Sequence, residues 1–174
     1  MYKRQLLKSP QYVFQLADMA AQYPQAKFVV THRDLAAVVP STCSVVHESR
    51  QKRLPGRTTD AVAFGRAMLD HWAAGVERMV AARASLGEGR FVDVGQSELE
   101  ADPLATADRV FDSAGLRVTT DVRAAMVAWA EQNRRGARGE HRYDASEFGI
   151  TDADIRAAFG SYLDRFGDLC RPSS

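Results

Sequence analysis

Two short apolar runs, Lys27-Phe28-Val29-Val30-Thr31 and Arg90-Phe91-Val92-Asp93-Val94, constrain this chain more than anything else in it. Neither follows the apolar–polar alternation of a half-exposed strand, so each reads as a strand covered on both faces in a parallel sheet. Most of the remaining sequence has helical periodicity, and strands interleaved with helices define an α/β protein in which helix dominates. In open sheets of that kind ligands collect beyond the carboxyl ends of the strands, where helix N-termini offer unpaired N–H groups and partial positive charge.

The helices follow from spacing and caps. Arg4 to Leu7 read as the tail of a strand, and Ser9-Pro10 as an N-cap followed by proline at the first helical position. Val13, Leu16, Ala17, Ala20 and Ala21 then keep helical spacing up to Tyr23-Pro24. After the first strand a turn or two of helix is expected, kinked at Pro40, and Arg50 to Arg57 read as a basic loop. Thr58 or Thr59 should cap a long helix lined by Ala61, Phe64, Met68, Trp72, Val76 and Met79. Asp102-Pro103 opens a helix that ends at Gly115, and another carries Val122, Ala125, Met126 and Trp129. Asn133 to Tyr143 form a basic, glycine-containing loop. The last helix starts at Thr151 and buries Ile155, Phe159, Tyr162 and Phe166.

A chain of 174 residues supports one domain over 1–174. Its net charge of +1 argues against a nucleic-acid footprint, which needs clustered excess Lys and Arg. Cys43 and Cys170 lack metal-ligand or disulfide-framework spacing, so no metal is expected and a cytoplasmic setting fits. The basic N-terminus lacks an apolar signal stretch, and no run approaches membrane-spanning length.

Three places could hold an anion. Lys8 precedes a helix N-cap, so its ammonium and the free N–H groups of that helix could converge on one oxygen; a solvated lysine fits the spacing equally well. Arg33 directly follows the first strand and Ser41 lies eight residues on, a guanidinium and a hydroxyl able to grip one phosphate. The plainer reading pairs Arg33 with Asp34 or a nearby carboxylate and leaves Ser41 capping backbone. The loop from Arg134 to Arg142 could fold over a nucleotide's phosphates or simply be solvated. His32, at the end of a buried strand, reads as a hydrogen-bonded structural histidine rather than a base. His47, His71 and Trp72 read as packing residues.

Taken in order, Lys8-Ser9-Pro10, Thr31-His32-Arg33-Asp34, Val38-Val39-Pro40-Ser41, Glu100-Ala101-Asp102-Pro103, Arg135-Gly136, His141-Arg142-Tyr143 and Phe148-Gly149 resemble the C-terminal part of bacterial, mycobacterial-type sulfotransferases. The resemblance runs over nearly the whole chain. It implies a helix-rich part of a P-loop-like parallel-sheet fold, and transfer of a sulfuryl group from 3′-phosphoadenylyl sulfate to a small-molecule hydroxyl or amine acceptor. By the same resemblance Arg33 and Ser41 would hold the nucleotide 3′-phosphate, helped by Arg135 and Gly136. Lys8 would neutralise charge on the transferred group, a role of electrostatic preorganisation.

The chain departs from the family pattern in three places. Relatives carry histidine, as the acceptor's base, two residues after the Lys-Ser-Pro triplet, where this chain has Tyr12. No glycine-rich loop for the 5′-phosphosulfate stands ahead of Leu6, and Ala137 replaces a frequent cation. The resemblance thus implies an N-terminally shortened sulfotransferase with weak or absent turnover on its own. The alternative is a non-catalytic nucleotide-binding or assembly module derived from one, in which an open sheet edge would favour a homo-oligomer. A P-loop kinase would need a G-x-x-x-x-G-K-[ST] run, which is lacking.

Overall fold

The computed structural model describes residues 5–54, 56, 59–133 and 145–172. Both apolar runs are strands, β1 (Phe28–His32) and β2 (Phe91–Gly95), paired in parallel with Phe28 opposite Phe91 and His32 opposite Gly95. The long connection between them holds α2 (Leu35–Arg53) and α3 (Ala61–Leu86). β2 is covered on both faces as expected, whereas in β1 Val29 and Thr31 are exposed and alternate with inward-facing neighbours. The amino ends of the strands are clamped together: Phe28 stacks on Phe91 at 5.3 Å, Lys27 Nζ donates to Gly89 O at 2.6 Å, and Arg90 Nη2 donates to Tyr23 O at 2.9 Å.

Ahead of β1 the described part of the expected strand tail is not a strand: residues 5–9 form no regular element. The single helix read there is divided into a 3-10 turn, Pro10–Phe14, and α1 (Leu16–Gln22). Downstream, α2 is nineteen residues long rather than a turn or two, and it runs through Pro40. Burial explains the tolerance, because Val39, Pro40 and Cys43 pack into the core and offset the lost N–H of the proline. The same helix absorbs Arg50 to Arg53, so the basic loop is shorter than its composition suggests. The cap of α3 is Asp60 rather than a threonine, accepting from Val62 N and Ala63 N.

Beyond β2 come α4 (Gln96–Ala101), α5 (Pro103–Ser113), α6 (Thr120–Gln132), α7 (Asp152–Ala158) and α8 (Gly160–Phe166). Asp102 caps α5 through Ala105 N, and Gly115, at φ +62, takes the left-handed conformation that closes it. The last helix is broken at Phe159, and α7 begins with a capping box between Thr151 and Asp154. Two connected apolar clusters fill the interior. Val39, Cys43, Phe64, Leu69, Phe148, Ile155 and Phe159 join α2, α3 and α7. Leu16, Met79, Phe91, Tyr162, Phe166 and Cys170 join α1, α3, α8 and the sheet. No helix among the described residues is long and apolar enough to cross a membrane.

Candidate anion site at the sheet end

At the carboxyl end of β1 three consecutive residues are put to different uses. His32 turns inward and is 1% exposed, Arg33 is exposed, and Asp34 caps α2 by accepting from Ala36 N at 3.0 Å. Asp34 thus serves the helix; among the described residues Arg33 has no ion-pair or hydrogen-bond partner. Ser41 lies seven residues beyond the cap, two turns up α2 on the same face and about 10 Å along its axis. It is half-buried, with no partner for its hydroxyl among the described residues.

Lys8 and Tyr12 share one turn. Lys8 is exposed and Tyr12 half-buried. The expected convergence of Lys8 with free helix N–H groups does not hold, because that turn satisfies its own. Pro10 has no N–H, Gln11 N donates to Ser9 Oγ at 3.2 Å, and Tyr12 N donates to Ser9 O at 3.3 Å. Lys8 therefore brings only its own charge. The turn is anchored by Phe14, whose ring lies over Gly75 of α3 and against His71 at 4.4 Å and Trp72 at 5.8 Å. A Cβ on Gly75 would stand 2.5 Å from Phe14 Cζ, so the ring requires glycine there. Trp72 packs as expected, while His71 is exposed despite its ring contact. His47 is half-buried against Phe64 and Phe148. Arg135 and Gly136 lie outside the described residues.

Beneath the strand end is a polar network that the motifs did not reveal. His32 Nδ1 bonds Tyr162 Oη at 2.7 Å and its Nε2 bonds Asp93 Oδ1 at 2.8 Å. Arg83 of α3, 3% exposed, donates to both Asp93 oxygens at 2.7 and 2.6 Å, and to Glu88 Oε2 at 2.9 and 2.6 Å. Its guanidinium also stacks on Phe91 at 4.5 Å. Burial lowers the His32 pKa, outweighing the hydrogen bond to Asp93 that raises it. The neutral imidazole donates at Nε2 and accepts the Tyr162 O–H at Nδ1. Burial would raise the Asp93 carboxyl, but the hydrogen bonds from Arg83 and His32 more than offset it and hold it below the ordinary value. One signal was readable in sequence: Arg83 follows Met79 by four residues, on the apolar stripe of α3, and Asp93 interrupts an apolar strand. Among the described residues no group of His, Cys, Asp and Glu could hold a metal.

Parallel strands joined through long helices define an α/β protein, with an arginine directly after the first strand and a serine on the helix that follows. The model of the sulfotransferase family matches residues 1–121, a stretch that includes Lys8, Tyr12, Arg33 and Ser41 and ends ahead of Arg135. The chain belongs to the sulfotransferase family. Its fold is similar to that of sulfotransferase STF9 from Mycobacterium avium, with a TM-score of 0.83 and 24% identity over 92% of this chain and 41% of that one. It is also similar to sulfotransferase STF1 from Mycobacterium tuberculosis H37Rv, with a TM-score of 0.74 and 31% identity over 91% of this chain and 40% of that one. The chain thus spans about two fifths of the length of those structures. No curated protein matches it.

Proposed function

We propose that this chain takes part in transfer of a sulfuryl group from 3′-phosphoadenylyl sulfate to a small-molecule hydroxyl or amine, and that Arg33 and Ser41 grip the nucleotide 3′-phosphate. The observation that carries the reading is the pair of unpartnered groups at the sheet's carboxyl end: a guanidinium free of carboxylates and a hydroxyl on the following helix, among the described residues. Their donors suit a phosphate, since guanidinium supplies paired N–H groups and the hydroxyl one more. Arg135 and Gly136 would close on the same phosphate. Lys8 supplies positive charge to the transferred group and to the oxygen from which the sulfur departs.

In the transfer a bond forms between sulfur and the acceptor atom, the bond from sulfur to the phosphate's bridging oxygen breaks, and the acceptor loses a proton. Tyr12 occupies the place of the base. A phenol takes up a proton at neutral pH much less readily than an imidazole, so turnover by this chain is weak.

Thermal unfolding with adenosine 3′,5′-bisphosphate, compared with AMP, tests the grip. Ligand at a hundred times its Kd stabilises the fold by about 2.7 kcal/mol. The bisphosphate should raise Tm, AMP should not, and Arg33→Ala should abolish the gain. Equal stabilisation by AMP, or an undiminished gain in Arg33→Ala, would refute the assignment.

A further inference from the structure

The residue beside Arg33 is among the most tightly held side chains at that end of the sheet. Both ring nitrogens of His32 are bonded, each to a different element: Nδ1 to Tyr162 of α8 and Nε2 to Asp93 of β2. Its ring stacks on Phe166 at 4.7 Å and 28° and on Tyr162 at 5.7 Å and 25°. Packing alone would be served by an apolar side chain of the same size. A ring with a donor on one side and an acceptor on the other fixes rotation as well as depth. Successive residues of a strand point to opposite faces, so immobilising residue 32 sets the direction in which residue 33 leaves the sheet. The cap of α2 follows at once, and Ser41 is carried on that helix.

We propose that His32 is a positioning residue for the anion site, tying the end of β1 to α8 and β2 so that Arg33 and the start of α2 are held where phosphate meets them. This rests on the roles given above to Arg33 and Ser41.

The charged and titratable groups around the ring are Asp93 on β2, Arg83 on α3, Tyr162 on α8 and Cys170 in the turn after it. Asp34 acts on Cys170, and Glu88 and Arg165 complete the far side of Arg83. Only a neutral imidazole accepts the Tyr162 O–H. A proton on Nδ1 reverses that bond: Nδ1–H then donates to Tyr162 Oη, whose hydrogen must turn toward Cys170 Sγ, 3.8 Å away, and displace the S–H that donates there. Because burial places the folded pKa of His32 below its ordinary value of 6.5, the unfolded chain binds the extra proton first. The stability that the neutral tie contributes is therefore complete above 6.5 and declines as pH falls from there toward the folded value, where the ring itself takes the proton.

The test compares wild type, His32→Gln and His32→Leu by amide hydrogen exchange at residues 33–37, corrected for intrinsic rates, from neutral pH to about pH 5.5. In wild type these amides should be protected at neutral pH, as those of α3 are. Glutamine, which can bond at both ends but does not titrate, should keep them protected throughout; leucine should leave them weakly protected at every pH. His32→Leu should also bind adenosine 3′,5′-bisphosphate roughly five-fold more weakly at neutral pH, the worth of one buried hydrogen bond, and glutamine should restore the binding. Comparing variants at one pH cancels the titration of the ligand itself. Protection at 33–37 that is unchanged in the leucine variant overturns the positioning role. A wild type that does not bind the bisphosphate overturns the anion-site assignment, whatever the exchange shows.

Discussion

Replacing Arg83 with methionine separates the buried network from the apolar packing around it. Methionine can fill the space of the arginine stem on α3. What it removes are the four hydrogen bonds to Asp93 and Glu88 and the stacking on Phe91. Glu88 has a side chain 56% exposed and keeps Arg165 as a partner, so its share of the loss is small. The Asp93 side chain is 23% exposed, and losing its cation strands a mostly buried carboxylate. Breaking such a pair costs about 3–5 kcal/mol; with part of Asp93 open to solvent, about 3 kcal/mol is expected at neutral pH. That is a large part of the roughly 5–15 kcal/mol that holds a domain folded, so the variant should fold but melt early. Urea unfolding followed by circular dichroism measures it. Adding Asp93→Asn should recover at least about 2 kcal/mol, a coupling that a double-mutant cycle isolates. Acid supplies a second check. In wild type the Asp93 carboxyl lies below its ordinary value of 3.8, so its contribution is present above that value and fades as pH falls through the folded one. In Arg83→Met burial acts without its main counterweight, and the deficit relative to wild type should shrink as pH falls and the carboxyl takes a proton. A loss under about 1 kcal/mol, the scale of a surface ion pair, or strict additivity with Asp93→Asn, would refute the reasoning.

Two further outcomes follow from close contacts. Gly75→Ala should cost about 1–3 kcal/mol, since the new methyl would stand 2.5–2.9 Å from three atoms of the Phe14 ring and must displace it; a thermal melt reads the loss, and adding Phe14→Leu should recover part of it. Cys43 is 1% exposed and its burial pushes the thiol up to about 11, so a disulfide reagent at mildly alkaline pH should label it only at the rate of unfolding. Immediate labelling of Cys43 in the folded protein would contradict its placement.

The elements legible in the sequence were those set by local chemistry. The two strands, the long apolar stripe of α3, the Asp102-Pro103 start and the Thr151 cap depend on residues near one another in the chain, and each stands within a residue or two of its expected place. The misreadings came where tertiary packing overrides local signals. Pro40 reads as a breaker, yet it is buried, and packing of Val39 and Cys43 against α3 and α7 keeps α2 helical for thirteen residues more. The last helix reads as one periodic stretch but breaks at Phe159, whose own ring is buried in the core.

The site divides in the same way. Arg33 was visible because it abuts a strand, but the network beside it was not, since Tyr162 and Asp93 meet His32, and Arg83 meets Asp93, from elements distant in sequence. His32, the last residue of β1, is buried and Arg33 just beyond it is exposed, so the strand end has a fixed side and a free side one peptide apart. The fixed side is fully partnered, with each ring nitrogen and both Asp93 oxygens engaged; the free side carries a guanidinium with no carboxylate partner among the described residues. A cation meant for an external anion gains from that arrangement. Ordering the strand end before the ligand arrives lowers the conformational entropy lost on binding, and the carboxylates next in sequence and on the neighbouring strand, Asp34 and Asp93, are engaged by the α2 amide and by Arg83.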